Sequence, residues 1–260
     1  MTGAAGRVLH DDTGAAVVLA RPPRRVVSLV PSLTEALAAG APDVLAGATQ
    51  WCTHPPELGV ARVRGTKNPD RRAIAALEPG LVVANKEENR ELDVRRLRAA
   101  GIPVWVTVVE SVPQALASLE RLFTLALDRP APDWLRSAQD LWDGPPPRPH
   151  ARVAVPVWRD PWMAVGSATF AGDLLARLGL ENVLARDPGR YPRVDPAELD
   201  RAGLDLVVLP DEPYPFTASD GPDAFPTTPA ALVEGRLLTW YGPSLVTART
   251  ALPGRLRTPR

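Results

Sequence analysis

Short β-branched runs alternate with helical stretches twice along this chain, and that alternation constrains its fold more than any other feature. Arg25-Val26-Val27-Ser28-Leu29-Val30 reads as a buried strand; Pro31-Ser32 opens a helix that runs through Thr34 to Ala39 and stops at Gly40. Val44 to Ala48 is a second short strand, Arg71 to Leu77 a helix, and Leu81 to Ala84 a third strand. Leu92 to Ala100 is a helix ended by Gly101, and Val104 to Val108 a fourth strand. Strands that recur across helical crossovers pair in parallel, because each crossover returns the chain to the same end of the sheet. A helix follows around Ser111 to Leu127 and another over Asp133 to Trp142, after which Gly144-Pro145-Pro146-Pro147-Arg148-Pro149 cannot be helical. The alternation then resumes with strand Arg152 to Trp158, helix Thr169 to Leu178, helix Pro196 to Ala202, strand Leu206 to Pro210, strand Arg236 to Trp240 and a last helix near Leu245. The expected class is α/β, with lobes over 1–110 and 151–260 joined by a helical connector over 111–150 with a Pro-rich end.

Composition narrows the partners. The 260 residues are 45% hydrophobic and 23% charged, enough to bury a core. A formal net charge of +0 gives no electrostatic reason to expect nucleic acid or an anionic membrane, so a small or amphipathic ligand fits better. A lone cysteine, Cys52, excludes an internal disulfide and a multi-cysteine metal site. The opening MTGAAGRVLHDDTGAAVVLARPPRRVVSLV has no basic segment before an apolar core and no cysteine placed for a lipid anchor. The expected location is therefore cytoplasmic as written, and extracytoplasmic if the sequence is a trimmed piece. No run of about eighteen apolar residues is present to span a bilayer.

Candidate site residues cluster where strands end, which is where open α/β sheets gather their ligands. QWCTHPPE brings Trp51, Cys52 and His54 together after the second strand. A metal site there needs further ligands, and only His10 and His150 remain among the histidines. A Cys52–His54 nucleophile pair, a pocket wall built on Trp51, and simple loop packing are the other readings. Lys86, Glu87 and Glu88 follow the third strand, either as a solvated helix start or as groups that bond a ligand's amide, amine, carboxylate or phosphate. In Trp158-Arg159-Asp160-Pro161-Trp162-Met163, two indoles on one loop need something to cover them, a ligand or the core. Glu212 and Tyr214 after strand Leu206 to Leu209, and Trp240 and Tyr241 after the last strand, repeat the pairing of aromatic with polar group, with Glu212, Arg159 and Tyr241 as polar anchors. Packing under the final helix is the other reading of Tyr241.

The runs RVVSLVPSLTEALAAG, WCTHPPE, IAALEPGLVVANKEEN, GDLLARLGLENVL and DLVVLPDEP resemble the helical-backbone metal receptors, the class III periplasmic substrate-binding proteins of ABC importers, and most of all their cobalamin-binding members. The resemblance extends over roughly residues 20 to 245. It implies two Rossmann-like lobes joined by a rigid helix, with the ligand in a cleft between them, and Trp51 as an aromatic wall. It implies a bound corrinoid, haem or ferric siderophore, no intrinsic cofactor or metal, no catalysis, and an ABC permease as partner. Three departures stand out. Thr66 falls where the cobalamin binders carry a second tryptophan. Arg72 and Ala197 replace the docking glutamates, with Glu198 one place away, so one docking contact reverses its charge. The bridging helix Asp133 to Trp142 offers only about 15 Å at 1.5 Å per residue. A second reading is a cytosolic protein that reuses the scaffold, as an intracellular carrier or as an enzyme with Glu87, Glu88, Glu212 or His54 as acid–base groups.

Overall fold

The computed structural model describes residues 6–256. The chain divides into two compact units, Met1–Val109 with Gln114–Ser137, and Glu110–Pro113 with Ala138–Arg260. The first unit opens with a hairpin that the strand-and-helix alternation did not announce, β1 (Arg7–His10) and β2 (Ala16–Leu19). Its turn is closed by Asp11, whose Oδ1 accepts from the backbone and hydroxyl of Thr13 and from the backbone of Ala15. The buried Oδ2 of the same carboxylate accepts from Arg98 at 2.6 Å and from the Val106 backbone at 3.2 Å.

Behind the hairpin lie β3 (Val26–Ser28), α1 (Pro31–Gly40), β4 (Leu45–Ala48), β5 (Ala61–Arg62), a small antiparallel pair β6 (Arg64–Gly65) and β7 (Asn68–Pro69), α2 (Arg71–Ala76), β8 (Leu81–Asn85), α3 (Glu91–Ala99) and β9 (Val104–Thr107). The five-stranded sheet runs β5-β4-β3-β8-β9 and all its pairs are parallel. Every residue of β3, β8 and β9 is buried, as a parallel sheet covered on both faces requires. Val27, Val82 and Val106 meet Ile74 of α2 and Val94 and Leu97 of α3 in one apolar cluster. The chain leaves β3 toward β4 on one side and places β8 on the other, so the strand order reverses at the carboxyl ends of β3 and β8.

Helix α4 (Val112–Arg121) passes into a π-helical turn at Leu122–Ala126, and α5 (Asp133–Leu141) follows. The second unit contains β10 (Ala151–Ala154), β11 (Pro156–Trp158), β12 (Met163–Ala164), α6 (Phe170–Arg177), β13 (Leu180–Asn182), α7 (Pro196–Asp200), β14 (Leu206–Pro210), β15 (Ala230–Val233), α8 (Gly235–Thr239) and α9 (Ser244–Arg255). Its four-stranded parallel sheet runs β13-β10-β14-β15. The strand expected over Arg152 to Trp158 breaks at Val155 into β10 and β11, and β11 turns back antiparallel on β12. The strand expected at Arg236 to Trp240 is helix α8, and the sheet takes Ala230–Val233 instead. A short apolar run such as LLTW reads equally as strand or buried helix turn, and here Leu237 and Leu238 are buried from the helix. No helix among the described residues is long and apolar enough to cross a membrane.

Candidate functional site

In the first unit, the loop after β4 separates its neighbours by burial. Trp51 is 61% exposed, whereas Cys52 is fully buried. The Trp51 indole nitrogen lies close over Gly65, where a β-carbon would stand 3.2 Å from it. The Cys52 thiol lies against the hydroxyls of Thr34 at 3.0 Å and Thr49 at 3.2 Å. Burial pushes that thiol above its usual range, against the lowering effect of the hydrogen bonds from Thr34 and Thr49. Cys52 therefore sits beneath the loop and not on its exposed surface, a correction that follows from the inward turn of its side chain. His54 is half-buried, with Nδ1 3.2 Å from the Thr53 hydroxyl. Sequence reasoning missed Arg62, whose guanidinium donates to the carbonyls of Thr49, Cys52 and Leu58 and so fixes the path of the loop.

The loop after β8 is organised by two buried asparagines. Asn85 Oδ1 accepts from the backbone N–H groups of Glu87 and Glu88, and its amide donates to Thr107. Asn89 accepts from the Asn85 backbone and donates to the carbonyls of Leu29 and Thr66. These bonds tie together the ends of β3, β8 and β9 at the point where the strand order reverses. Lys67 donates to the Glu87 carbonyl at 2.6 Å. Lys86 and Glu87 are exposed on the rim and Glu88 is half-buried.

In the second unit an aromatic ladder runs inward from Trp158, which is 44% exposed. Trp158 meets Tyr214 edge-on at 5.9 Å, Tyr214 tilts against Phe216 at 4.7 Å, and Trp162 stacks on Phe216 at 5.7 Å. Trp162 also meets Phe225 edge-on and joins an apolar cluster with Leu199, Val207 and Leu209. Of the two indoles on this loop, Trp158 carries the exposure and Trp162 packs inward. Arg159 lies 5.2 Å over the Trp162 ring and pairs with Asp220 and Asp223, while the Tyr214 hydroxyl donates to Asp220 at 2.7 Å. The hydrogen bond from Arg159 holds Asp223 below the usual carboxylate range. No spacing in the sequence marks Asp220 or Asp223 as partners of Arg159, because they approach through the loop after β14.

Glu212, read with Tyr241 as a polar anchor, is half-buried beside the buried Trp240 and Tyr241, and burial of Tyr241 agrees with its other reading as a packing residue. Trp240 and Tyr241 are buried, and Tyr241 meets Phe170 edge-on at 5.8 Å. Burial pushes the Glu212 carboxyl above its usual range, against the lowering effect of a hydrogen bond from the Trp240 side chain. Gly235 presses on it so closely that a β-carbon would stand 2.4 Å from Glu212 Cγ. Helix α8, at Gly235–Thr239, stands where a strand was expected and ends at Trp240, just ahead of Tyr241. Among the described residues no group of three or more His, Cys, Asp or Glu side chains is placed to hold a metal ion.

Each unit thus pairs a parallel sheet with one exposed indole, Trp51 after β4 and Trp158 at the end of β11. No protein-family model matches the chain. The vitamin B12-binding protein of Pectobacterium carotovorum subsp. carotovorum (strain PC1) is 26% identical over 200 residues, 74% of this chain and 72% of that protein. An uncharacterized ABC transporter substrate-binding lipoprotein, YvrC, of Bacillus subtilis (strain 168) is 30% identical over 118 residues, 44% of this chain and 38% of that protein. The crystal structure of the periplasmic vitamin B12-binding protein BtuF of Vibrio cholerae matches with a TM-score of 0.72 at 17% identity, covering 90% of this chain and 97% of that one. The periplasmic heme-binding protein BhuT, in complex with two hemes, matches with a TM-score of 0.73 at 22% identity over 89% and 97% of the two chains. The chain belongs to the class III periplasmic substrate-binding proteins, the helical-backbone metal receptors. These comparisons overturn the cytoplasmic location expected from the first thirty residues: the Vibrio cholerae neighbour is named periplasmic and the Bacillus subtilis relative a lipoprotein. They equally disfavour the reading as a cytosolic carrier or enzyme.

Proposed function

We propose that this chain is a non-catalytic solute-binding protein that holds a metal chelate of the corrinoid, haem or ferric-siderophore kind and presents it to an ABC permease. The observation that carries this reading is the exposure of Trp51, after β4, and of Trp158, at the end of β11, while Trp105, Trp142 and Trp240 are buried. An uncovered indole forgoes the benefit of burial, and a large flat chelate is the kind of surface that restores it, with little rotamer entropy lost. The names of the relatives support the same ligand class and the same partner class. Arg72 and Ala197, at the positions aligned with docking glutamates, are both exposed, and Glu198 beside Ala197 supplies an exposed carboxylate.

The test is a tryptophan-fluorescence titration of the full chain with cyanocobalamin, haemin and a ferric siderophore. At least one chelate is expected to quench the signal with saturation. Trp51→Ala and Trp158→Ala are each expected to raise its Kd by about tenfold or more, the effect of removing a central aromatic contact. The absence of a response to every chelate overturns the reading.

A further inference from the structure

The exposed indole of Trp158 is steadied from outside its own hairpin by Tyr214, whose ring meets it edge-on at 5.9 Å. Tyr214 lies in the loop after β14, and its hydroxyl donates to Asp220 Oδ2 at 2.7 Å, a charge-assisted bond. The same bond raises the Tyr214 phenol above its usual range. Asp220 turns its other oxygen, Oδ1, to the guanidinium of Arg159, the residue after Trp158. One carboxylate thus ties together the ring beside the indole and the side chain next to it in sequence. Arg159 also lies 5.2 Å over the Trp162 ring, and each of its terminal nitrogens bonds an Asp223 oxygen at 3.2 Å. Asp223 takes a further bond from the Gly221 backbone N–H at 2.7 Å, so it joins Arg159 to its own turn. Gly221 stands at a φ of +123°, and a β-carbon there would come within 2.6 Å of the Phe216 ring, so the turn that presents Asp220 packs tightly on the aromatic ladder.

We infer that Asp220 is a positioning residue for the binding surface, holding Trp158 in its outward orientation through Tyr214 on one side and Arg159 on the other. The consequence for ligand binding rests on the function proposed above; the fixing of the indole does not. A surface indole turns among several staggered rotamers unless its neighbours restrict it. Binding then has to order that side chain, and the cost is subtracted from affinity although no contact is removed. The Tyr214–Asp220–Arg159 bonds meet this cost before a ligand arrives, because they fix the ring that Trp158 rests against and the stretch of hairpin that carries it.

Tyr214→Phe keeps the ring and removes only its bond to Asp220, whereas Asp220→Ala removes both bonds; a double variant combines them, and urea midpoints verify that each chain folds. In the full chain without ligand, Trp158 is read as the difference between each variant and the same variant carrying Trp158→Phe, with excitation beyond the tyrosine band. Both single variants are expected to lower the anisotropy of Trp158 and raise its quenching by acrylamide. They are also expected to raise the Kd for whichever of cyanocobalamin, haemin or a ferric siderophore binds by about twofold to tenfold. The double variant is expected to match Asp220→Ala alone, since both substitutions cut the same chain of bonds. Asp223→Asn is expected to move that Kd by less than about twofold, as an exposed ion pair contributes little. An unchanged Trp158 signal, additive single effects, a loosened Trp158 with an unchanged Kd, or an Asp223→Asn effect as large as that of Asp220→Ala overturns the inference and leaves the chelate-binding reading intact. A chain that answers to none of the chelates loses that reading, while the ligand-free Trp158 signal still decides whether Asp220 fixes the indole.

Discussion

Glu212 shows how one residue's surroundings decide its role. It follows β14 in a run, Asp211-Glu212-Pro213-Tyr214, that invites assignment as a ligand anchor, yet its carboxyl is turned against Gly235 and takes a hydrogen bond from the Trp240 side chain. Burial raises its pKa in the folded state above the unfolded value. A carboxyl shifted in that direction supports the fold below its unfolded pKa, and the support is lost as pH rises through the folded pKa. Glu212→Gln keeps an acceptor for the donors and removes the charge. Its stability relative to the native chain is therefore expected to improve on going from about pH 4 to about pH 7, read from urea midpoints at each pH. A variant that loses ground over that interval counts against a raised carboxyl. Cys52 is the complementary case: its place in QWCTHPPE suggested chemistry, and the hydroxyls of Thr34 and Thr49 make it a core thiol.

At the scale of elements, the loops that carry the exposed groups are held by polar side chains from elsewhere. Arg62, on β5, bonds three carbonyls of the loop around Trp51. Arg62→Ala is expected to cost about 1–3 kcal/mol, since it leaves carbonyls without their charged donor. Amide exchange across residues 50–58 should quicken while β3 and β8 keep their protection; an unchanged exchange pattern would show that the loop holds itself. Strands β3, β8, β9 and β14 were legible because parallel strands buried on both faces are continuous apolar runs between turn signals. Helix α1 was legible from Pro31 at its start. The β1–β2 hairpin was not, because it is anchored by the Asp11 carboxylate reaching Arg98 and Val106, a contact with no local signature. Strand β15 was not either, since of its four residues only Val233 is buried, with Ala230 and Ala231 half-buried and Leu232 exposed.

For the whole molecule, a ligand that binds only the folded chain adds its binding free energy to stability. A chelate present at about a hundred times its Kd should raise the unfolding free energy by about 2.7 kcal/mol, visible as a higher Tm that depends on ligand concentration. A Tm that stays constant under saturating chelate would mean that the fluorescence change came from nonspecific quenching. The sequence by itself determined the α/β class, the alternation of strands and helices, and the family, because apolar period, turn residues and motif order are local properties of the chain. Only the tertiary structure decided which aromatic rings face outward, that Trp51 and Trp158 do while Trp240 and Tyr241 do not, and that Arg159 is already paired. Burial and charge balance depend on residues brought together from distant parts of the chain, such as Arg159 with Asp220 and Asp223 or Glu212 with Gly235, and no local pattern encodes those meetings.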